Sequence, residues 1–368
     1  MWRYDGGVRW IVPVVCALGG CDAILGLSEI PPIDSPPPVV PSYRKPITIT
    51  QSTSSTLEMF RISIVLASDS ELAMHAQTDG NDILFTDSTG ANELPSEIVA
   101  YDSGALEAWV AIPMLPPGDT MIYLAYGGSA RTSRPSDVWA GQYAGVWHQS
   151  GRGPTETDST SNDLGLTTIG SAPLSTMGVV GNGRHFVDQA SDQLCGADSN
   201  GSLAFDITTS FTYEMWLNST LFSGAAGVVL DKGGTSTGND GFELELGSGL
   251  WDAHLDDGTN DVSAQGALPN AGWVQLVEVA DRGNEMLTSY VDGARTETHS
   301  IGSLGGIIAT EPFCLGGESD GMDSFGGDLD EVVVERVART DDWIRFEYES
   351  ITNRDQVIAV GAEQVVTD

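Results

Sequence analysis

Two glutamates come nearest, by residue type and spacing, to catalytic chemistry in this chain. Glu243 and Glu245 lie in the run FELEL, and alternate residues of a β-strand share one face. Glycoside hydrolysis needs an acid together with a base or nucleophile, which are two carboxyl groups at a defined separation. A third acid at a suitable spacing is missing, so we interpret the pair as solvated carboxylates on an outer face. The sequence therefore predicts no catalytic residue.

Other catalytic chemistries lack their residues as well. A serine triad needs a nucleophile beside an oxyanion hole, and no G-x-S-x-G motif occurs. Zinc needs His or Cys ligands at short spacing, but the five histidines are scattered along the chain. They are His75, His148, His185, His254 and His299. We interpret His148 as the end of a strand and not as a catalyst.

One tryptophan is a candidate for ligand binding. Sugar recognition uses an exposed aromatic side chain beside hydrogen-bonding groups. Trp251, with Asp252 and His254 close behind it in the sequence, predicts such a site. Burial of Trp251 in a hydrophobic core is the alternative, and the sequence leaves both open.

Acidic residues are dense near the end of the chain. They are Glu318, Asp320, Asp323, Asp328 and Asp330. Calcium binds carboxylate and carbonyl oxygens from loops, although the spacing here is not that of an EF-hand. Asp330 could instead accept hydrogen bonds from backbone amides at a turn, so a calcium site is one of two interpretations.

Length and charge bound the remaining possibilities. A chain of 368 residues has room for two domains, and its 44 glycines and 17 prolines suit an all-β protein rich in turns. Asp and Glu number 52 against 16 Lys and Arg, which gives a formal net charge of −36. A surface this acidic repels phosphate backbones, so we predict no nucleic-acid partner.

Residues 1–20 have the pattern of an export signal. Two arginines precede the apolar run Trp10–Leu18, which is too short to span a bilayer. The segment Leu18–Cys21 resembles a bacterial lipobox, in which the cysteine receives a lipid; ordinary cleavage that leaves Cys21 free is the alternative. Residues 21–42 are rich in proline and predict a stiff tether. The sequence thus predicts a membrane-anchored lipoprotein of the bacterial cell envelope.

Residues 43–130 predict a first domain. Six strand-like runs separated by turn signals have the spacing of a small β-sandwich. The runs are 43–50, 60–67, 82–87, 96–101, 105–113 and 119–128. Three motifs, Tyr43–Ile49, Leu84–Ile98 and Ala105–Gly127, are similar to those of the domain-of-unknown-function 2341 family of bacterial envelope proteins. That resemblance implies an architecture only, and residues 131–145 follow as a connector.

Residues 146–350 predict a second domain. Its motifs Thr212–Trp216, Trp273–Gly293 and Gly327–Val334 resemble the laminin-G-like branch of the concanavalin A-like lectin/glucanase superfamily. Residues 272–300 also predict a hairpin, because two alternating runs each end in a glycine-containing turn. The resemblance implies a jelly-roll sandwich, which is usually a binding module and sometimes an enzyme scaffold. It also implies a structural calcium ligand at Asp330, because the matching aspartate is one in several relatives.

Two cysteines of the second domain predict a disulfide. Cys195 and Cys314 lie in strand-like segments of an exported chain, where oxidation is available. In the resembled jelly roll the two strands that carry them come near each other. Two buried free thiols are the alternative. Further on, Thr340 before two aspartates predicts a helix N-cap, and residues 351–368 predict a last strand and tail.

The sequence as a whole predicts an all-β chain, in which a small N-terminal sandwich precedes a concanavalin A-like jelly roll. The function that it favours is non-catalytic binding of a glycan or of an extracellular or envelope protein. A divergent polysaccharide hydrolase and a purely structural envelope spacer are the alternatives.

Overall fold

The computed structural model covers most of the chain after the tether. It describes residues 41–131, 135–187, 192–219, 227–233, 240–269, 272–319, 321 and 323–367. Val39–Asp368 form one compact unit. The predicted export signal, the lipidation candidate Cys21 and most of the tether lie outside the described residues. Within those residues, no helix has the length and apolar character needed to cross a membrane.

The first sandwich forms from alternating strands, as predicted. Its elements are β1 (Tyr43–Gln51), β2 (Leu57–Leu66), α1 (Ser70–His75), β3 (Leu84–Thr86), β4 (Glu93–Leu94), β5 (Ser96–Asp102), β6 (Ala105–Leu115) and β7 (Gly118–Tyr126). One sheet contains the order β1-β7-β3-β4, and the other has the order β2-β6-β5. Alternate residues such as Ile47 and Ile49 on β1 and Ile62 and Ile64 on β2 are fully buried in one core between the sheets.

The second sandwich is a jelly roll. Its elements are α2 (Pro135–Val138), β8 (Tyr143–Trp147), β9 (Thr155–Glu156), β10 (Leu166–Ile169), β11 (Leu174–Met177), β12 (Asn182–Phe186), β13 (Gln193–Gly196), β14 (Phe211–Ser219), β15 (Gly227–Lys232), β16 (Gly241–Gly247), β17 (Leu250–Asp256), β18 (Asp261–Ala267), β19 (Val274–Asp281), β20 (Met286–Val291), β21 (Ala294–Ser300), β22 (Phe313–Leu315) and β23 (Gly327–Glu335). These strands confirm the predicted all-β class.

The strands of the jelly roll form two antiparallel sheets. We call the first the groove sheet; its order is β18-β17-β16-β15-β22-β13-β10-β9. The second, the seam sheet, has the order β11-β12-β23-β14-β19-β20-β21, and β8 also pairs with β23. Inward side chains of both sheets, including Phe211, Leu244 and Leu276, share one hydrophobic core. This packing is that of a β-sandwich.

The predicted hairpin of the second domain is confirmed. β19 pairs with β20, and β20 pairs with β21. The tight turn between β20 and β21 places both Asp292 (φ 53°) and Gly293 (φ 72°) in the left-handed region. A two-residue turn of this kind suits the right-handed twist of the flanking strands, and Asp-Gly is one of the pairs that favour it.

The chain returns to the first sandwich at its end. The last elements are α3 (Asp341–Thr352), α4 (Arg354–Val357), β24 (Ile358–Val360) and β25 (Gln364–Val365). The Thr340 hydroxyl accepts a hydrogen bond from the Trp343 amide at 3.3 Å, which confirms the predicted N-cap of α3. β24 and β25 both pair with β1. The jelly roll is therefore inserted between β7 and β24 of the first sandwich.

The first sandwich and α3 cover the outer face of the seam sheet. Val277 and Val279 of β19 lie in the same apolar cluster as Phe60 of β2. A second cluster joins Trp109 of β6 to Trp216 of β14. We call this contact between the two sandwiches the seam. It buries the outward side chains at the centre of the seam sheet, whereas β21 at the edge of that sheet is exposed.

The predicted disulfide is confirmed. Cys195 on β13 lies directly opposite Cys314 on β22, and the two sulfur atoms are bonded at 2.09 Å. The bond closes a sequence separation of 119 residues within the groove sheet. It therefore ties a strand from early in the jelly roll to one from near its end.

Candidate functional site

A groove lies on the outer face of the groove sheet. On β16, Phe242 and Leu244 point into the core, so Glu243 and Glu245 alternate onto the other face. Glu245 is partly exposed there, but Glu243 is 3% exposed, so the interpretation of the pair as solvated carboxylates is wrong for Glu243. His254 of β17 lies opposite Glu243. The groove has a volume of about 500 Å³. Its acidic lining consists of Glu243, Glu245, Asp256, Asp261, Glu318 and Asp323.

His254, which lines the groove, lies between two neighbouring carboxyl groups. His254 Nε2 lies 3.1 Å from Asp252 Oδ1, and its Nδ1 lies 3.5 Å from Asp261 Oδ1. Asp252 is directly opposite Glu245 in the strand register. Burial raises the pKa of both Glu245 and Asp252 above the ordinary carboxyl value. Such groups accept hydrogen bonds when ionised and donate when protonated, and both suit a ligand that carries hydroxyl groups.

The structure settles the open question about Trp251. Its indole is 0% exposed and belongs to the jelly-roll core. A Cβ atom at Gly266 on the next strand would lie 2.8 Å from the indole ring, so the space around it is filled. Trp251 therefore offers no stacking surface to a sugar. Of the predicted ligand-binding residues, His254 lines the groove and Asp252 supports it.

Asp330 serves the backbone of a neighbouring turn. It is 0% exposed, and its Oδ2 accepts hydrogen bonds from the amides of Val179 at 2.7 Å and Val180 at 3.0 Å. Its Oδ1 accepts one from the Glu331 amide at 3.0 Å. Burial raises the pKa of Asp330 well above its ordinary value. These three N–H donors are the partners that the turn interpretation of Asp330 predicts.

The other acids of the predicted calcium loop do not gather around Asp330. Glu318 and Asp323 line the groove, whereas Asp328 pairs with His185 at 2.7 Å. Asp320 lies outside the described residues. Within the described part of the chain, no group of three or more His, Cys, Asp or Glu residues is arranged to hold a metal ion. Calcium at Asp330 stays a prediction.

His148 forms a buried ionic link across the seam. Its Nδ1 lies 2.8 Å from Glu331 Oε2, and its Nε2 lies 3.2 Å from Glu97 Oε2 of the first sandwich. His148 is buried, which by itself lowers its pKa, but the two carboxylates raise the pKa well above the ordinary value. Ser159 Oγ and Trp139 Nε1 donate hydrogen bonds to Glu97. Burial alone would raise the pKa of Glu97, but His148 and these hydrogen bonds lower it below its ordinary value.

Sequence reasoning missed this role of His148, although a signal was present. Trp147 faces the jelly-roll core, so the next residue faces the opposite side of the seam sheet. That side is buried only because the first sandwich covers it, and no local pattern reveals the cover.

A second buried acid of the first sandwich contacts the jelly roll across the seam. Glu107 of β6 is buried, and burial raises its pKa to about 7. It lies against Gly181, where a Cβ atom would stand 1.7 Å from Glu107 Oε2. Gly181 also has φ +64°, so both its conformation and its neighbour favour glycine.

Comparison with known families agrees with this architecture. Residues 190–345 match a family model described as the Concanavalin A-like lectin/glucanases superfamily. The matched range contains the strands of the groove and β23 of the seam sheet. The second sandwich is therefore a lectin/glucanase-like jelly roll.

The solved structures similar to the chain include binding domains of bacterial toxins. That of Paraclostridial Mosquitocidal Protein 1 aligns with a TM-score of 0.47 and 14% identity, over 57% of this chain and 52% of that one. Those of botulinum neurotoxin serotypes D and G align with TM-scores of 0.48 and 0.46 and identities of 13% and 11%, over 57% and 56% of this chain and 52% and 50% of theirs. The chain thus spans about half the length of these structures, and at these scores the likeness carries no argument about a ligand. No curated protein sequence matches the chain.

Proposed function

We propose that the chain is a non-catalytic binding protein of the bacterial cell envelope whose jelly roll holds a glycan segment in the groove. The observation that supports this is the groove itself, a concave site of about 500 Å³ with several hydrogen-bonding side chains on one sheet face. Volumes of this size are typical of small-ligand sites. The opposite face of the jelly roll is covered by the first sandwich, so the groove face is the one left for a ligand.

A glycan fits this site better than a protein partner does. Stable protein interfaces are broad and bury about 800 Å² on each side, with an apolar core of aromatic residues. The groove is concave, and among its described lining residues none is Phe, Tyr or Trp, so it lacks both the aromatic core of a protein interface and a stacking platform for a sugar. Carboxylates and a histidine instead match the many hydroxyl groups of a sugar chain. An extracellular or envelope protein remains the competing ligand that the experiment must distinguish.

The membrane anchor belongs to the same proposal. The segment Leu18–Cys21 supplies a lipidation motif, and residues 21–42 supply the tether. A lipid chain contributes about 0.8 kcal/mol for each buried methylene group, which anchors a protein without a spanning helix. Replacing Cys21 by Ser should move the protein from the membrane to the soluble envelope fraction. Retention of the variant in the detergent phase would contradict the anchor.

A divergent polysaccharide hydrolase is the second candidate. Glu243 and Glu245 both line the groove, and residues two apart on a strand lie about 7 Å apart. Carboxyl groups at about 6.5–9.5 Å serve inverting glycosidases, and burial raises the pKa of Glu245 as a general acid requires. The spacing and the raised pKa suit a hydrolase, and release of sugar by this pair is the result that would establish one.

The test uses the detergent-solubilised full chain on a glycan array, with release of reducing sugar measured in parallel. We expect binding without release, and we expect Glu245→Gln and His254→Ala to weaken the binding at least about tenfold, a loss of 1.4 kcal/mol. Glu297→Gln, on the exposed strand β21, is the matched control and should bind as the wild type does. Release of sugar that Glu243→Gln abolishes would support the hydrolase. Capture of an envelope protein without any glycan signal would replace the glycan by a protein partner.

A further inference from the structure

Helix α3 bridges the two sandwiches. On one side, Trp343 and Phe346 pack against Phe60 of β2, with ring centroids 4.9 and 5.1 Å apart. On the other side, Tyr348 stacks on Trp216 of β14 at 5.7 Å and an interplanar angle of 6°. Any change in how α3 contacts β14 is therefore a change in the seam.

Two carboxyl groups meet at this contact. Glu214 of β14 is buried, and its Oε1 accepts a hydrogen bond from Gln275 Nε2 at 2.7 Å. Glu347 of α3 lines the same small cavity of the seam, and its carboxyl group lies within hydrogen-bonding reach of that of Glu214. A carboxylate is only an acceptor, so two carboxyl groups can share a hydrogen bond only while one of them carries a proton.

The pair borders a small cavity of the seam. The cavity, of about 10 Å³, is lined by Trp109 of the first sandwich, Trp139 of α2 and Trp216 of β14, as well as by Glu214 and Glu347. Like charges in such a place are poorly screened and strongly repel each other. Glu347 itself keeps part of its surface accessible, so protons can reach the pair from solvent.

The surrounding charges are engaged with partners of their own. Glu335 and Arg339 form an ion pair with each other, and Glu331 of β23 is paired with His148. Tyr143 of β8 receives a hydrogen bond from Arg339 at 3.3 Å. A further cation near this network, Arg61 of β2, is bonded to the backbone carbonyl of Val138 at 2.5 Å. A second negative charge on the pair would therefore be poorly compensated.

We propose that the Glu214–Glu347 pair is a proton-operated latch of the seam. With one proton bound, the pair ties α3 to the seam sheet and so holds the first sandwich against the jelly roll. Loss of that proton places two carboxylates against each other and releases α3 from β14. This inference concerns the covered face of the jelly roll and does not rest on the function proposed for the groove.

The direction of the pH effect follows from the two pKa values. Burial raises the pKa of Glu214 to about 7, and burial together with the charge of Glu214 raises the pKa of Glu347 well above the ordinary value. At a pH between the ordinary carboxyl value and these raised values, the latched carboxyl groups are protonated, whereas the released ones are ionised. The stability of the latched state falls as the pH rises from about 4.5 to the raised pKa of each group, by a factor of about ten in the equilibrium constant for each pH unit and proton, and changes no further above that pKa. The latch closes in mild acid and opens in mild base.

His148 works in the same direction at higher pH. Its raised pKa means that the ionic link to Glu97 and Glu331 is complete below the ordinary value of 6.5 and is lost as the pH rises through the raised value. Glu97 acts oppositely, because its pKa is lowered and its contribution is lost only as the pH falls through that lowered value. Substitutions at His148 test this ionic link, and substitutions at Glu214 or Glu347 test the latch.

Hydrogen exchange of the full chain at pH 6.0 and 8.5, corrected for intrinsic rates, tests the latch. The segment 341–352 should lose protection at least about tenfold between the two pH values, while the segment 242–255 of the groove sheet serves as an internal reference. Glu347→Gln keeps the size and can donate to Glu214 without ionising. It should keep 341–352 protected at both pH values, and Glu214→Gln should do the same.

Glu297→Gln, an exposed acid of the seam sheet, is the control and should retain the wild-type pH response. An equal loss of protection in wild type, Glu347→Gln and Glu214→Gln would overturn the latch. So would a wild-type helix that is equally protected at pH 6.0 and 8.5. If Glu347→Gln does not fold, the wild-type pH series and Glu214→Gln still decide between the two results.

Discussion

The two outer faces of the jelly roll carry acids in the same strand pattern but in opposite surroundings. On the groove sheet, Glu245 and Asp252 keep part of their surface in contact with water, whereas Glu243 on the same face is 3% exposed. On the seam sheet, Glu214 and Glu331 occupy matching outward positions and are buried by the first sandwich. A carboxylate in water costs little, whereas a buried one must be paired or protonated. A covering domain therefore buries the outward acids of the seam sheet, whereas on the groove sheet the neighbouring side chains alone bury Glu243 and leave Glu245 partly exposed.

The two sheets also differ in how they are held together. The groove sheet contains the Cys195–Cys314 bond, which is indifferent to pH over the ordinary range. The seam sheet depends on His148 and on acids whose charges change with pH. The groove should therefore keep its shape under conditions that loosen the seam.

The largest expected effect is on the disulfide. Replacing Cys195 and Cys314 together by Ala should lower the free energy of unfolding by about 4–5 kcal/mol, because the bond closes a loop of more than a hundred residues. Urea unfolding of the purified full chain measures the loss. A loss below about 1 kcal/mol would mean that the bond does not stabilise the groove sheet as this comparison requires.

The next effect comes from the seam. His148→Ala leaves Glu97 and Glu331 buried without their partner, and removal of one partner from a buried ion pair costs about 3–5 kcal/mol. Since the pKa of His148 is raised in the folded state, the deficit against wild type should be largest below pH 6.5 and should shrink as the pH rises. Urea midpoints at several pH values check this. A deficit that is the same at every pH would contradict the ionic link.

Asp330 should give an intermediate effect. Asp330→Ala leaves the amides of Val179 and Val180 without acceptors and should cost about 1–3 kcal/mol. Melting with and without EDTA separates the two interpretations of this residue. A backbone clamp predicts the same cost in both, whereas a calcium site predicts that EDTA destabilises the wild type and not the variant.

The smallest effect should be in the groove. Glu245→Gln removes a charge that still contacts water and should change the free energy of unfolding by less than about 0.5 kcal/mol. Chemical unfolding beside the wild type gives the value. A cost above about 2 kcal/mol would mean that the groove acids are structural, and the contrast between the two faces would fail.

The sequence predicted where the strands lie better than it predicted which strands pair. Periodicity located the hairpin of β19 to β21, and the two cysteines of the jelly roll correctly placed β13 beside β22. The pairing of β24 with β1 was not predicted, because the two strands lie some 300 positions apart and alternation carries no information about the partner.

The candidate site was predicted in part for the same reason. Alternation placed Glu243 and Glu245 on one face, as the structure shows. It could not decide which way Trp251 points, since an aromatic residue suits either an exposed platform or a core. The roles of His148 and Glu214 depend on a domain that packs from outside, and no spacing within the jelly roll reveals it.

The most direct test of the account is a hydrogen-exchange footprint of the full chain with and without the glycan that binds best on the array. The account predicts that the glycan protects residues 241–265 of the groove sheet and leaves 211–219 and 341–352 of the seam unchanged. Glu245→Gln should remove the protection without lowering the melting temperature. Protection that falls on the seam segments instead, or that persists in Glu245→Gln, would contradict the assignment of the groove as the binding face.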